Sequence, residues 1–195
     1  MGREDHGQSL MNETLRVIRS RRSIRKYKPE PINDAELQAI LEAAVYAPSA
    51  RNRQPWHFSV VRDQAMMARL KKTLKANLLK CGVEFLVQRA SEPGYVAFHD
   101  APMVIIISAD EAGGFSLLDC GAAAENIALA AESLNIGSCL MGSSEFLFLG
   151  DEGGELKKAL GIPDGYRHVC AVTLGYKDCN QPTPTPRREG MVNVV

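Results

Sequence analysis

The sequence lacks the long apolar runs, the charge excess and the metal-ligand spacings by which several classes of protein are recognised. No apolar run approaches the roughly 18 residues that span a bilayer, and the polar first nine residues do not resemble a secretory signal. The 23 basic and 23 acidic residues cancel, which weighs against a protein that coats nucleic acid. The histidines and cysteines show no paired spacing, so we expect no metal site.

Signatures of dinucleotide binding and of serine nucleophiles are also missing. There is no GxGxxG and no GxSxG, and the glycine-spaced segment 137–143 has no lysine to reach a phosphate. The five cysteines include no CxxC pair, and Cys120, Cys139 and Cys170 sit in apolar segments. This usage favours reduced thiols and a cytoplasmic location.

The 195 residues, 45% hydrophobic and 24% charged, are typical of one globular domain covering 1–195. Helices and strands intermix without regular alternation, which favours an α+β fold with a mixed sheet. Residues 81–100 give no clear pattern, whereas the small side chains of 116–134 predict a buried helix. The apolar periodicity predicts helices over 11–22, 33–47, 64–80, 116–134 and 152–160, and strands over 56–62, 103–108 and 169–174.

The two ends of the chain differ from the rest. Residues 1–12 are expected to be flexible. Residues 176–195 are polar and rich in proline, and they finish with the apolar segment Met191–Val195. Such a segment cannot form a core alone, so we expect an extended arm that lies over another surface, for example that of a second subunit.

Seven basic residues and no acidic one lie between Arg16 and Lys28. One interpretation is a solvated helix end, where cations complement the helix dipole. A second is an anion site, because Arg21, Arg22 and Arg25 around Ser23 combine forked guanidinium donors with a hydroxyl. A third is a nucleic-acid patch, which the neutral total charge and the scarcity of aromatic residues weaken.

Three further segments carry candidate chemistry. The loop 47–56 holds Ser49, Asn52 and Gln54, whose donors and acceptors suit a heterocycle but also suit an ordinary polar connection. The segment 136–144 offers glycines and an apolar wall of Leu140 and Met141, although it also fits a helix cap that runs into a strand. Arg187 and Arg188 in the arm could join Arg22 at one phosphate.

The order of these segments resembles the nitroreductase family of FMN-dependent oxidoreductases. The matching stretches are Arg21–Tyr27 (RRSIRKY), 47–58 (APSARNRQPWHF), 119–129 (DCGAAAENIAL) leading into 137–142 (GSCLMG), and 184–188 (PTPRR). The resemblance implies an intertwined homodimer with an extended C-terminal arm and with FMN bound at the subunit interface. It also implies that no side chain acts as a catalytic acid or base.

The resemblance implies three groups of cofactor-binding residues. Those for the phosphate and ribityl chain are Arg21, Arg22, Ser23, Arg25, Arg187 and Arg188. Those for the isoalloxazine, contributed by the other subunit, are Pro48, Ser49, Ala50 and Asn52, with Gln54 close by. Those that pass along the flavin near its reactive nitrogen are Leu140, Met141 and Gly142.

The implied activity is hydride transfer from NAD(P)H through the flavin to a flat acceptor, a nitroaromatic or a quinone, in a ping-pong cycle. Residues 81–100 would shape the acceptor pocket, with Tyr95, Phe98 and His99 as substrate-binding candidates; the alternative for Phe98 is an ordinary core position. Two other functions stay open. One is a flavin enzyme with an enone or halogenated aromatic acceptor, and the other is a non-catalytic module that binds FMN or nucleic acid.

Overall fold

The computed structural model describes residues 10–150 and 152–195. The prediction of a flexible segment over 1–12 therefore lies, for residues 1–9, outside the described part of the chain. The helices are α1 Glu13–Ser20, α2 Asp34–Val45, α3 Gln64–Leu78, α4 Glu84–Ser91, α5 Ser116–Ser133 and α6 Gly153–Ala159. The strands are β1 Trp56–Val61, β2 Met103–Asp110, β3 Ile136–Met141 and β4 Tyr166–Tyr176, and short 3₁₀ segments cover Ala50–Asn52, Ala97–Asp100 and Gly142–Phe148.

The four strands form one sheet in the order β1-β2-β4-β3, and each neighbouring pair is antiparallel. The α+β class is confirmed. The expectation of a mixed sheet is not met by these strands, because the parallel pairing in the described part of the chain is a single bridge from Ser23 to Ser138. That bridge adds the end of the basic segment to the edge of the sheet.

Strand β2 lies at the centre of two packed layers. Its residues are apolar almost without interruption, as expected for a strand covered on both faces. Met103, Ile105 and Ile107 pack with α2 and α5, whereas Val104 and Ile106 pack with α3, α6 and the segment Gly142–Phe148. Successive side chains of a strand point to opposite faces, so one short run serves both cores.

Most predicted elements are confirmed with small shifts of their ends. The capping box expected at Asn33 is present, with Glu36 bonded to the Asn33 backbone N–H at 2.9 Å. Helix α4 was not predicted, and β3 corresponds to the alternative interpretation of 136–144 as a helix cap that runs into a strand. The helix α5 ends without the predicted glycine cap, because Asn135 (φ 59°) takes the left-handed position and Gly137 lies inside β3.

Helix α5 is buried on one face rather than all round. Leu117 and Leu118 of α5 are 49% and 72% exposed, and Leu15 and Ile18 of α1, which packs on α5, are also exposed. We call these four residues the α1–α5 face. Exposed apolar side chains on two packed helices offer surface for an interaction.

Beyond the end of β4, the C-terminal arm has no helix or strand, and its hydrogen bonds and ion pairs to the rest of the described chain lie near its start. Asp178 forms an ion pair with Lys26 at 3.1 Å, and the Gln181 amide donates to the Ser20 carbonyl at 2.6 Å. Every residue from Asp178 to Val195 is exposed.

Among the described residues, no helix is both long and apolar enough to span a bilayer, and all five cysteines are free.

Candidate functional site

A cavity of about 260 Å³ opens where the end of β3 faces α4 and the Ala97–Asp100 turn. Its lining joins two sets of residues that lie far apart in the sequence. One set belongs to the motifs described above, the other belongs to the region 81–100, and Leu78 is added from the end of α3. The lining residues are Arg25, Leu78, Phe85, Leu86, Arg89, Tyr95, Val96, His99, Cys139, Leu140, Met141, Gly142 and Ser143.

The wall of this cavity is the point where β3 ends. Met141 is buried and Leu140 is half-exposed, because side chains alternate along the strand. Gly142 is exposed, and a side chain added there would meet no atom within 4 Å. The predicted residues Leu140, Met141 and Gly142 therefore do line one open surface.

A buried serine and a half-buried histidine support this wall from behind. The Ser144 hydroxyl donates to the Met141 carbonyl at 2.5 Å, and it accepts from His168 Nε2 at 2.8 Å. His168 therefore carries its proton on Nε2, which leaves Nδ1 buried without a partner among the described residues. Burial, assisted by the positive charge of Lys157, lowers the pKa of His168 to about 4.

The basic motif is pinned to the edge of the sheet. The Ile24 N–H donates to the Ser138 carbonyl at 2.8 Å, which brings Ser23 and Arg25 beside β3. This close approach explains Gly137, where an added Cβ would lie 2.9 Å from Ile24 Cγ2. The glycine thus serves packing between two segments, not the approach of a ligand that its sequence context suggested.

The arginines of the motif differ in how many donors remain free. Arg22 donates to the carbonyls of Arg19, Arg21 and Pro182 at 2.8, 2.6 and 3.2 Å, which leaves only its Nη2 hydrogens unused. The buried Nε of Arg21 forms an ion pair with Glu125 Oε1 at 3.4 Å, without the geometry of a hydrogen bond. The Nη groups of Arg21 make no hydrogen bond to the described residues, so their hydrogens are available to a bound anion.

The predicted loop Pro48–Gln54 does not reach this cavity. It is held by its own polar groups and by α5: the Ala50 N–H donates to Asp119 at 3.1 Å, and the Gln54 N–H donates to Ser49 at 3.0 Å. Its exposed residue Asn52 accepts from the Gln54 amide at 3.1 Å. Ala50 and Asp119 line a separate cavity that shares no residue with the first.

The three substrate-binding candidates have different positions. Tyr95 and His99 line the cavity, and the Lys75 ammonium lies 5.9 Å from the Tyr95 ring centre. Phe98 is a correction, because it is completely buried in the core beside α3 and does not line the cavity. The alternative of an ordinary core position was right for this residue.

Sequence reasoning missed Arg89, an exposed residue of α4 that lines the cavity. Arg89 lies one helical turn after Phe85, which also lines the cavity. Had α4 been predicted as a helix, the i to i+4 spacing would have placed these two side chains on the same face. The predicted residues Arg187 and Arg188 are exposed in the arm.

The fold and the cavity define an α+β protein with a basic, flat-walled ligand site at the edge of an antiparallel sheet. A family model described as the Nitroreductase family matches residues 18–176. The chain therefore belongs to the nitroreductase family.

Individual relatives agree with this assignment. The chain is 35% identical, over 85% of its length and 86% of the relative's, to an Archaeoglobus fulgidus protein provisionally named NADH dehydrogenase/NAD(P)H nitroreductase. A nitroreductase from Desulfitobacterium hafniense, solved with bound FMN, superposes with a TM-score of 0.89 and 37% identity, covering 95% of this chain and all of that one. A nitroreductase with bound FMN from Bacteroides fragilis gives 0.87 and 31% with the same coverage.

Proposed function

We propose that this protein is an FMN-dependent oxidoreductase that passes hydride equivalents from NAD(P)H to a flat acceptor, a nitroaromatic or a quinone. The observation that carries the proposal is the cavity that Arg25 of the basic motif lines together with the wall Leu140–Gly142. Relatives with this fold were solved with FMN. The names of other relatives include an NADPH-flavin oxidoreductase of Vibrio harveyi, which is 29% identical over 91% of this chain.

The residues present fit FMN in kind. Arg21, Ser23 and Arg25 offer the charge-assisted donors that a phosphate monoester and the oxygen edge of a flavin require. Leu140, Met141 and Gly142 offer an apolar surface with room for a ring. Bound FMN would supply the two-electron chemistry, and the protein would supply orientation and charge.

The overall balance needs no further reagent. A quinone, NAD(P)H and one proton give the hydroquinone and NAD(P)⁺. A nitro group, NAD(P)H and one proton give the nitroso group, water and NAD(P)⁺. Donor and acceptor would use the same face of the flavin in turn.

The proposal includes a symmetric homodimer. In one chain, the loop Pro48–Gln54 and the cavity beside Arg25 are separate, so one molecule does not assemble the predicted site. The α1–α5 face and the exposed arm offer apolar surface that a second copy would cover. A partner's loop placed over this cavity would complete the site.

A nucleic-acid-binding function has less support. The basic segment is not one cationic surface, because Arg16 bonds to Glu13, Lys26 to Asp178 and Arg22 to main-chain carbonyls.

The structure contains no disulfide among the described residues, and the reducing cytoplasm remains the compartment that we propose.

Purification without added flavin tests the proposal. We expect a yellow protein whose released cofactor has the mass of FMN, because arginines around a terminal phosphate favour the monoester. The yellow protein should oxidise NADH or NADPH only when a quinone or nitroaromatic is present, with parallel double-reciprocal plots. A colourless protein that binds no added FMN would refute the function, and FAD as the sole cofactor would refute the assignment of the phosphate site.

A further inference from the structure

The cavity has two sides of different origin. Arg25 and the wall Leu140–Gly142 come from the motifs that the proposed function assigns to the cofactor. The opposite side comes from α4 and the segment that follows it, with Phe85, Arg89 and Tyr95. That side is left to the acceptor, and Arg89 is its one residue with a fixed charge.

The guanidinium of Arg89 has no carboxylate partner in the described part of the chain. Among residues 10–150 and 152–195, neither an ion pair nor a side-chain hydrogen bond involves it, and Arg25 donates only to the Ser23 carbonyl, at 3.3 Å. The lining of this cavity contains no Asp or Glu. The adjoining cavity, which Arg89 also lines, contains Glu92 and Asp100, and Asp100 is already paired with Lys71.

Arg25 and Arg89 act on the same neighbours. Burial, together with the positive charges of Arg25 and Arg89, lowers the pKa of His99 to about 4. Both arginines also oppose the effect of burial, which raises the pKa of the Cys139 thiol. The two guanidiniums therefore make the potential inside the cavity positive.

We propose that this cavity selects acceptors that carry a carboxylate, and that Arg89 is the residue that binds it. A planar aromatic acid would pack its ring against Phe85 and Tyr95 while its carboxylate meets the guanidinium, a geometry that arginine supports with two parallel donors. The inference rests on the proposed function, since the acceptor is reduced only where FMN is bound. It adds the substrate class that the family assignment leaves open.

The test compares two acceptors of nearly the same shape, 4-nitrobenzoate and the neutral 4-nitrobenzamide, with the FMN-loaded wild-type enzyme and its variants. Arg89→Gln should lower kcat/KM for the acid roughly tenfold relative to the amide, the size expected for a lost charge-assisted contact. Arg89→Lys should recover part of the loss. Raising the salt concentration should weaken wild-type turnover of the acid but not of the amide.

Arg167→Gln is the matched control, because Arg167 is exposed on β4 and lines neither cavity. It should leave the ratio between the two acceptors unchanged. An equal loss for both acceptors in Arg89→Gln, or a loss confined to NADPH oxidation in the reductive half-reaction, would overturn the proposal. In that second case Arg89 would bind the additional phosphate that distinguishes NADPH from NADH.

The two levels of inference fail differently. If Arg89→Gln is yellow and reduces both acceptors with an unchanged ratio, carboxylate selection is wrong and the proposed function stands. If wild-type protein binds no FMN, the proposed function is wrong and this inference falls with it.

Discussion

The two halves of the candidate site differ in how the chain holds them. The sheet-borne half, Arg25 with Leu140–Gly142, lies on the edge of a buried sheet and is supported by Ser144 and His168. The exposed half, the loop Pro48–Gln54 and the arm beyond Pro182, lies on the surface. Contacts within one chain fix the sheet-borne half. The exposed half would be fixed only when another chain packs on it.

The largest expected effect follows from removing the exposed half's arm. A chain that ends at Gln181 loses the Pro182 carbonyl that accepts from Arg22, together with the apolar end Met191–Val195. We expect it to sediment as a monomer or an aggregate and to carry no flavin. The full-length double variant Arg187→Gln/Arg188→Gln is the control, and it should stay dimeric with weakened FMN binding. A truncated protein that is dimeric and yellow would contradict the role of the arm.

A smaller effect separates the two neighbouring arginines. Arg21→Gln should raise the Kd for FMN by about 10–100-fold, as for the loss of a hydrogen bond to a charged group. Arg22→Gln removes hydrogen bonds to main-chain carbonyls, so it should lower Tm by a few degrees. It should raise the Kd for FMN less than Arg21→Gln does. Titration of the apoproteins with FMN and thermal unfolding measure both. Equal affinity losses in the two variants would show that the difference in their free donors is unimportant.

The smallest effect concerns the support of the sheet-borne half. Because the pKa of His168 is about 4 in the fold and about 6.5 when unfolded, the unfolded chain binds more protons between these pH values. The free energy of unfolding should therefore be highest above pH 6.5 and decrease as the pH falls toward 4. Its slope from this residue is at most about 1.4 kcal/mol per pH unit.

His168→Gln should reduce that slope, measured by urea unfolding of the flavin-loaded protein at pH 5 and pH 7. Part of the slope should remain, because burial also lowers the pKa of His99. An unchanged slope would mean that the proton on His168 is not coupled to folding.

The helices and strands were easier to predict from the sequence than the candidate site was. Helix α2 was predictable because Asn33 and Glu36 mark its start and apolar residues recur at helical spacing. Strand β3 was only one of two interpretations of 136–144, because the position of Gly137 reflects packing against Ile24, a contact between residues more than 100 positions apart.

The acceptor side of the cavity shows most clearly what could not be predicted from the sequence. Phe98 and His99 are adjacent, yet one is in the core and the other lines the cavity. Both have left-handed backbone, with φ of 57° and 54°, in a turn too short to show any periodicity. The order of the motifs predicted which segments matter, but which side chains meet depends on turns and on contacts distant in sequence.

The most direct test of the account is complementation between two inactive variants. Arg21→Glu removes the anion site, and Asn52→Glu puts a charge on the loop that we assign to the partner's flavin. If each site takes Arg21 from one chain and Asn52 from the other, a mixed dimer has one intact site and one site with both changes. Co-expression should then restore about a quarter of wild-type flavin binding and activity, because half of the dimers are mixed. Recovery no greater than that of the two variants expressed separately would contradict a site shared between chains.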